Sequence, residues 1–407
     1  MRTGLLARTL AGRGHDVVWW SSTFDHYRKL HRFRADTLLE LEPGLRLHLV
    51  HSGGYGRNVS LARMVNDRAV ARGFARLSRE TMPPDLIVSS LPTVDLCTEA
   101  VRLGAERDVP VVIDVRDMWP DIFVGVLPAL LRGPGRVLVA PLVARARFAL
   151  RSAAGLTAMS RFVFDWALRH AGRPRRAADG VFPLGYQAPA VAPDARERAG
   201  DDLRAMGVDP AKTICWFVGQ LGRVYDVATL IEGARALWQR GRADVQLVIS
   251  GDGDNAAALR ARARDLPNVV FTGWVNTAQI SWLMAVAGVG LAAVRPVGEA
   301  LPNKLFEYLS AGLPVLSSLR GEAEELLARH GCGVTYPPGD VAAFVEAVER
   351  LAGDIALREA MGRNATALYA AGYSSEAVYG RMAAHLEAVA RQHADGRSAA
   401  PGVGPRS

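Results

Sequence analysis

The feature that most constrains the fold of this chain is the alternation of short apolar runs with segments of helical periodicity along nearly its whole length. Such alternation is typical of βαβ units, in which helices cover both faces of a parallel sheet. The runs form two sets, so we predict an α/β chain with two doubly wound, Rossmann-like domains. The candidate strands are 15–21, 45–50, 85–89, 110–114 and 155–159 in the first half, and 213–219, 245–251, 268–273, 288–294 and 313–318 in the second.

The length of 407 residues allows two to three compact domains. Residues 173–201, rich in Pro, Arg, Ala and Asp, interrupt the periodicity and are predicted to be an interdomain linker beside a deep cleft. The predicted divisions are an N-terminal domain over 1–185, a C-terminal domain over 186–374, a helix over 375–395 that returns to the N-terminal domain, and a disordered tail over 396–407.

The beginning of the chain departs from this plan. Residues 4–13 are predicted to form a helix that ends near Gly12 and Gly14, whereas a doubly wound sheet normally begins with a strand. We therefore expect that the first strand of the N-terminal domain is missing upstream of Met1, with about 15 to 20 residues for the strand and its turn. The alternative is that the domain tolerates the loss.

Charge and composition narrow the class of partner. The formal net charge is +8, and only three of the 49 basic residues are lysines. Arginines scattered along a chain usually form a solvated surface, so we predict no nucleic-acid partner and favour an anionic small ligand or an anionic membrane surface. The N-terminus has neither the apolar core of a signal peptide nor the length of a membrane span, which predicts a cytoplasmic protein. Three widely separated cysteines are expected to be isolated core thiols: Cys97, Cys215 and Cys332.

The most informative stretch is VGEALPNKLFEYLSAGLPVLSS, residues 297–318. It follows a candidate strand, and Pro302 is well suited to the start of a helix. Unpaired amides and the helix dipole favour a phosphate at that start, and Lys304 adds a positive charge in the first turn. Glu299 before the helix and Glu307 one turn after the lysine can accept hydrogen bonds from ligand hydroxyls. The stretch predicts a nucleotide-sugar site; the alternative is a solvated lysine between surface glutamates.

The same residues carry a family resemblance. E-x7-E followed by a Gly-Leu-Pro-Val strand, with PNKLFEYLSAG between, resembles the retaining nucleotide-sugar glycosyltransferases of family 4, which have the two-domain GT-B fold. WFVGQLGRVYDVATLIEGA is similar to the first strand and loop of that family's donor domain, VQLVISGDG to its second strand, and NVVFTGWV to the segment beside the nucleobase. RGHDV and DVRDMWPD are similar to a subgroup acting on N-acetylated amino sugars in surface-polysaccharide assembly. The resemblance covers roughly residues 1–390.

The resemblance implies roles for the matching positions. Glu307 would hold the donor ribose, Glu299 would contact sugar hydroxyls, and Lys304 with Arg223 would grip the diphosphate without a metal or other cofactor. No DxD-like set lies beside this site in the sequence, and no HExxH is present. The family usually has a lysine a few residues after the arginine, and its absence here implies a weaker or rearranged grip. The other implied donor-binding residues are Gly219, Gly222, Gly251, Gly273, Trp274, Gly298, Ala300, Leu301 and Asn303.

The first domain is expected to hold the acceptor. Asp117 follows the strand PVVIDV and is predicted to position or polarise the acceptor hydroxyl, with a helix cap as the alternative. Relatives often carry a histidine where Arg116 stands, so a role as general base stays open. Trp119 and Pro120 are expected to shape the acceptor site. Three loop histidines are expected to be structural rather than catalytic: His26, His31 and His51.

Residues 127–151 combine apolar side chains with five arginines. Two interpretations stay open: a segment in a membrane interface beside anionic lipids, suited to a polyprenyl-linked acceptor, or a buried interdomain helix. The predicted function is retaining, metal-independent transfer of an N-acetylated amino sugar from a nucleoside diphosphate to a hydroxyl acceptor, in cell-surface polysaccharide or glycoconjugate biosynthesis. The alternatives are a GT-B-fold epimerase or phosphorylase acting on a sugar phosphate, and a non-catalytic two-domain clamp that binds a ligand.

Overall fold

The computed structural model of the protein describes residues 2–57, 60–125, 128–295 and 301–399. The chain divides into two compact units, of which the first contains Met1–Pro183 and Val378–Ser407 and the second Leu184–Ala377. In both units the described residues alternate between mostly parallel strands and helices, as the apolar periodicity predicts.

The strands of the first unit form two main sheets. Strand β5 is parallel to β1 and antiparallel to β4, and β6, β7, β8 and β9 form a parallel sheet in that order. Within the described residues no ladder joins β1 to β6. The expected missing strand beside β1 stays a prediction. The strands are β1 Val17–Ser22, β2 Phe24–Asp25, β3 Leu30–His31, β4 Thr37–Glu42, β5 Leu45–Val50, β6 Ile87–Leu91, β7 Val111–Val115, β8 Gly155–Ala158 and β9 Gly180–Val181.

Helices cover the sheet that contains β7. Cys97, Ile113 and Leu150 belong to one buried cluster, while Leu6 and Tyr379 belong to another. The second cluster contains residues of the first and the last helix, because the chain after Val378 belongs to this unit. The helices are α1 Arg2–Gly12, α2 Leu61–Leu77, α3 Val94–Arg107, α4 Asp121–Gly125, α5 Arg132–Ser152 and α6 Arg161–Ala171.

A buried ion pair ties α1 to β7. The guanidinium of Arg2 donates to both carboxylate oxygens of Asp114, at 2.8 and 2.9 Å. It also donates to the carbonyl oxygens of Phe182 (2.9 Å) and Pro183 (2.8 Å), and only 5% of Arg2 is exposed. With every charged group so satisfied, the pair fixes the start of α1 against the sheet.

The described strands of the second unit form a parallel sheet in the order β12-β11-β10-β13-β14-β15. The order reverses between β10 and β13, and such a switch point is where open α/β sheets generally bind ligands, at the carboxyl ends of the strands. The strands are β10 Thr213–Val218, β11 Val245–Ser250, β12 Val269–Gly273, β13 Val289–Ala292, β14 Val315–Ser317 and β15 Gly333–Thr335. The helices are α7 Pro193–Ala205, α8 Val227–Gln239, α9 Ala256–Arg262, α10 Thr277–Val286, α11 Asn303–Ser310, α12 Glu322–His330, α13 Val341–Gly353, α14 Ile355–Leu368 and, from Ser375 onward, α15 Ser375–Ala399.

The boundary between the two units, at Pro183 and Leu184, lies within the predicted linker, but two segments predicted to lack regular structure contain it. The linker predicted over 173–201 contains β9 and the start of α7, because a proline at the first helical position loses no helix hydrogen bond. Helix α15 continues through residues 396–399, which were predicted to be disordered, and Arg397 near its end forms an ion pair with Asp108 at 3.2 Å. The rest of the predicted tail lies outside the described residues.

Candidate functional site

Glycines at the carboxyl ends of β10, β11 and β12 connect the three chain segments through backbone hydrogen bonds. The amide of Gly219 donates to the carbonyl of Ser250 (2.9 Å), and the amide of Gly251 donates to the carbonyl of Gly273 (2.7 Å). A Cβ atom on Gly251 would lie 1.9 Å from the carbonyl oxygen of Gly219, so this approach of two backbones requires glycine. Three of the five predicted glycines therefore lie together at one edge of this sheet: Gly219, Gly251 and Gly273.

Lys304 lies in the first turn of α11, and its side chain is buried rather than solvated. Its Nζ atom lies 3.6 Å from the centroid of the Tyr225 ring and 3.8 Å from that of Phe217. A Cβ atom on Gly219 would lie 2.8 Å from Nζ, which places the amine against the glycine loop. Only 5% of Lys304 is exposed, and Nζ has no hydrogen-bond partner in the described part of the chain.

This environment changes the protonation of Lys304. Burial disfavours the charged amine and lowers its pKa to about 7, while the nearby Glu307 acts in the opposite direction. The ring faces of Tyr225 and Phe217 carry partial negative charge and offset part of the cost of burying an ammonium ion. An anion placed beside Nζ would stabilise the charged form further.

Glu307 lies one turn after Lys304 on α11. Burial raises the pKa of its carboxyl group, and the charge of Lys304 lowers it. No hydrogen bond from the described residues reaches this carboxylate. Burial and then the charge of Glu307 raise the pKa values of Tyr186 and Tyr225, so both phenols lie within electrostatic range of it. Glu307 thus offers its acceptor lone pairs to a ligand.

Tyr225 is placed by pairing between the loops after β10 and β13. It forms a bridge with Val294, and the amide of Arg295 donates to the carbonyl of Val224 (2.9 Å). Neither Tyr225 nor Phe217 was predicted as a site residue, because aromatic residues beside a strand are most often core residues. Their spacing of two and six residues from Gly219 is the one signal in the sequence that could have found them.

The remaining residues that were predicted to bind the donor differ in their exposure, and three of them lie outside the described residues. Arg223 is exposed and forms no ion pair within the described residues, and 82% of Trp274 is exposed. Asn303 is exposed at the start of α11, and Leu301 is half-buried. Gly222 lies on the same loop as Arg223. Three predicted residues lie outside the described residues: Gly298, Glu299 and Ala300.

The predicted acceptor residue Asp117 lies just beyond β7 in the first unit. Its Oδ1 atom accepts from the amide of Met118 (2.9 Å), and burial raises the pKa of the carboxyl group. Helix α4 begins only at Asp121, so Asp117 does not cap it. The guanidinium of Arg63 lies 4.3 Å from the centroid of the Trp119 ring and lowers the pKa of Asp117. Arg63 was not predicted to lie here, because 54 residues of chain separate it from Asp117.

The neighbours expected around Asp117 have other partners. Arg116 donates to Asp114 (3.0 Å) and to the hydroxyl of Thr3 (2.8 Å), which directs it toward the α1 ion pair. Pro120 is buried and follows Trp119 through a cis peptide bond. The loop histidines contact their own segment: His31 and His51 share the Thr23 hydroxyl at 3.1 Å, and His26 packs on Tyr27.

In the described part of the chain, no three or more His, Cys, Asp or Glu side chains come together in a way that could hold a metal ion. None of the described helices combines the length and apolar character needed to cross a bilayer.

Comparison with solved structures defines the fold class. Two Rossmann-like units of this kind are the GT-B fold of glycosyltransferases. Sucrose-phosphate synthase from Thermosynechococcus elongatus matches with a TM-score of 0.68 and 16% identity, over 96% of this chain and 92% of that chain. HepE from Anabaena, in a complex with UDP, matches with a TM-score of 0.61 and 15% identity, over 84% and 86% of the two chains. The predicted fold class is confirmed.

Sequence comparison adds a more specific likeness. Residues 212–354 match the family model described as Glycosyl transferases group 1. Alpha-D-kanosaminyltransferase from Streptomyces kanamyceticus is 30% identical over 243 residues, which are 58% of this chain and 61% of that relative. The chain spans less than two thirds of the length of the curated relatives that it matches.

Proposed function

We propose that this protein transfers a sugar from a nucleoside diphosphate donor to a hydroxyl acceptor. The observation that carries the proposal is the buried amine of Lys304, held between two aromatic rings at the switch point of the second sheet. An unpaired buried amine destabilises the folded protein, and a bound anion would pair with the amine and offset that cost. A diphosphate beside the amino end of α11 is such an anion, because amides and dipole favour it there.

The same arrangement suits the chemical step. Cleavage of the bond between the sugar and the diphosphate oxygen leaves additional negative charge on the leaving group. The ammonium of Lys304 and the first amides of α11 stabilise that charge in a site with little water, without a metal ion or other cofactor. Arg223, exposed on the adjacent loop, supplies a second cation when the donor is bound. Glu307 accepts hydrogen bonds from the donor ribose.

The proposal assigns the acceptor to the first unit. Asp117 holds the acceptor hydroxyl, and Trp119 with Arg63 provides a flat surface beside it. Under retention, the proton of the acceptor hydroxyl passes to the leaving phosphate on the same face of the sugar. Asp117 then positions the acceptor and needs no net change in protonation.

The finer assignment rests on resemblance. The E-x7-E string and the sequence after it support family 4, hence retention, and the two motifs of the first unit support an N-acetylated amino sugar and a cell-surface product. The relative named for kanosaminyl transfer and the HepE complex with UDP support a nucleotide-sugar donor. We propose a cytoplasmic enzyme with no nucleic-acid partner.

The surface of α5 supports a peripheral membrane contact and a polyprenyl-linked acceptor. The buried residues of α5 all lie in its second half, from Leu142 to Leu150, within the core of the first unit. Arg132 and Arg136 lie in the first half of α5. Beside them are four large apolar side chains that are at least half exposed: Leu130, Leu131, Val137 and Leu138. Apolar side chains mixed with arginines favour an anionic membrane interface.

Two measurements test the function. Thermal stability with a panel of nucleotide sugars should identify the donor, because a specific ligand stabilises the folded state. Incubation with that donor should then release nucleoside diphosphate only when an acceptor is present, and NMR of the product should show the donor's anomeric configuration. Isomerisation of the sugar without transfer would instead identify an epimerase, release driven by phosphate a phosphorylase, and binding without turnover a clamp.

A further inference from the structure

A charged cavity lies wholly within the first unit, between α2, α3 and α5. Its volume is about 270 Å³, and guanidinium groups dominate its lining. No part of the proposed donor site belongs to this unit, and Asp117 does not line the cavity. The charged lining residues are Arg68 and Arg72 from α2, Asp95, Glu99 and Arg102 from α3, and Arg145 from α5.

The lining carries an excess of positive charge. Four arginines face two carboxylates, which leaves a formal charge of +2 in the cavity. Asp95 is shared between Arg145 (2.9 Å) and Arg68 (3.8 Å), and Glu99 pairs with Arg102 (2.6 Å). The carboxylates are thus already engaged, while guanidinium N–H groups remain available.

Two of the arginines have unused donors. Arg72 forms no ion pair with any described residue, although it lines the cavity. The Nε atom of Arg145 is buried and has no hydrogen-bond partner in the described part of the chain. A buried N–H without a partner costs free energy, which a bound acceptor would recover.

We propose that this cavity binds a phosphate monoester group. A phosphate monoester carries close to two negative charges at neutral pH, which match the formal charge of the lining. Its tetrahedral oxygens can accept from guanidinium groups on several helices at once, whereas a carboxylate offers two oxygens in one plane. Binding here is independent of the proposed donor site, because Lys304 and Glu307 belong to the other unit.

The phosphate can come from a soluble compound or from a lipid headgroup. The first turns of α2 carry exposed apolar side chains on the same helix as two of the arginines: 79% of Leu61 and 66% of Val65 are exposed. A lipid source would place these side chains in acyl chains while the headgroup enters the cavity. The shared chemistry is the monoester, and the experiment separates the sources.

Hydrogen exchange on the full chain tests the proposal. The probes are inorganic phosphate at millimolar concentration and vesicles of phosphatidylcholine with or without phosphatidic acid, whose headgroup is a phosphate monoester. We expect slower exchange in the facing segments of α2, α3 and α5 with at least one probe. Protection by free phosphate identifies a soluble source, and protection by phosphatidic acid vesicles alone identifies the lipid.

Matched variants give the test its specificity. Arg72→Gln should lower the affinity for the probe that gives protection roughly 10-fold, the loss expected for one charge-assisted hydrogen bond. Arg169→Gln removes the same charge from an exposed position on α6 outside the cavity and should have no effect. Absence of protection with both probes, or equal weakening by both variants, would overturn the proposal. Protection that survives in Lys304→Met separates this cavity from the donor site.

Discussion

The amine of Lys304 lies 3.6 Å from the centroid of the Tyr225 ring, in a contact that joins the start of α11 to the loop after β10. The ring stabilises the cation less well than water would, and burial lowers the pKa of the amine to about 7. This side chain therefore weakens the free protein, and the proposed function explains its retention by the diphosphate that it would bind.

Lys304→Met should stabilise the free protein and depress its turnover. At neutral pH the melting temperature of the second unit should rise by roughly 2–4 °C, the shift that about 1 kcal/mol produces in a domain of that size. Turnover should fall by roughly 10²-fold or more, the loss typical of one group that stabilises transition-state charge. Calorimetry measures the melting temperature, and an assay of released nucleoside diphosphate measures turnover. Lys212→Met, in the same unit, is the control variant. Unchanged turnover would contradict the site assignment.

The pH dependence of stability should change with the same residue. Between pH 7 and the ordinary value of 10.5, the unfolded chain holds a proton on this lysine that the folded chain has lost. The contribution of Lys304 to the free energy of unfolding should therefore increase with pH across this window. Urea denaturation at several pH values should show this slope in the wild type, and Lys304→Met should lack it.

Binding of a nucleoside diphosphate should take up a proton. If the bound form requires charged Lys304, affinity for UDP as a probe should fall above about pH 7, approaching 10-fold per pH unit. Titration calorimetry in buffers of different ionisation enthalpy reports the proton directly. Lys304→Arg keeps its charge and should flatten the profile. A wild-type affinity that stays constant from about pH 7 to about pH 9 would exclude this linkage.

Glu307→Gln should weaken the donor rather than the fold. Without the carboxylate, the hydroxyls of the nucleotide sugar lose a charged hydrogen-bond partner. The KM for the nucleotide sugar should therefore rise roughly 10- to 100-fold. The free protein should be as stable as the wild type or slightly more so at neutral pH, since burial opposes the charge of this carboxylate. Steady-state kinetics and thermal melts measure both. Glu346→Gln on the exposed face of α13 is the matched control, and equal effects from the two variants would remove Glu307 from the site.

Asp117→Asn should act on the acceptor and leave donor binding intact. An amide has the size of the carboxylate, but its oxygen is a weaker hydrogen-bond acceptor for the hydroxyl of the acceptor substrate. We therefore expect kcat/KM for the acceptor substrate to fall roughly 10-fold or more. UDP affinity by calorimetry should not change. Exposed Asp85 provides the control variant Asp85→Asn. Equal losses toward donor and acceptor would argue against a positioning role.

Arg2→Met should destabilise the first unit. Removing the guanidinium leaves the buried carboxylate of Asp114 short of partners, which typically costs about 3–5 kcal/mol. Burial alone would raise the pKa of Asp114, but Arg2 and Arg116 hold it below its usual value. The stability from this carboxylate is therefore present above its unfolded pKa of 3.8 and lost as pH falls through the folded value.

Denaturation of Arg2→Met by urea at neutral and acidic pH measures both effects. Arg8→Met removes an exposed ion pair from the same helix and should cost about 1 kcal/mol or less. Equal losses in the two variants would show that the buried pair contributes no more than the exposed one.

Local sequence pattern was enough for the elements that bury continuous apolar runs. The strand predicted over 45–50 is β5 Leu45–Val50, and the helix predicted from Asn303 is α11. The edge strand β4 Thr37–Glu42 escaped prediction, because most of its side chains are exposed and it lacks a buried run. The helix α7 also escaped, because its prolines suggested a linker.

The sequence by itself determined most core strands and helices and their succession along the chain, the two Rossmann-like units and the position of Lys304 at a helix start. These depend on periodicity and on residues close in the chain. Only the tertiary structure decided that this lysine lies between Phe217 and Tyr225, and that Arg63 lies over Trp119. Those contacts join residues 56 to 87 positions apart. They depend on the spatial order of the strands within each sheet and on the pairing of loops, which no local pattern encodes.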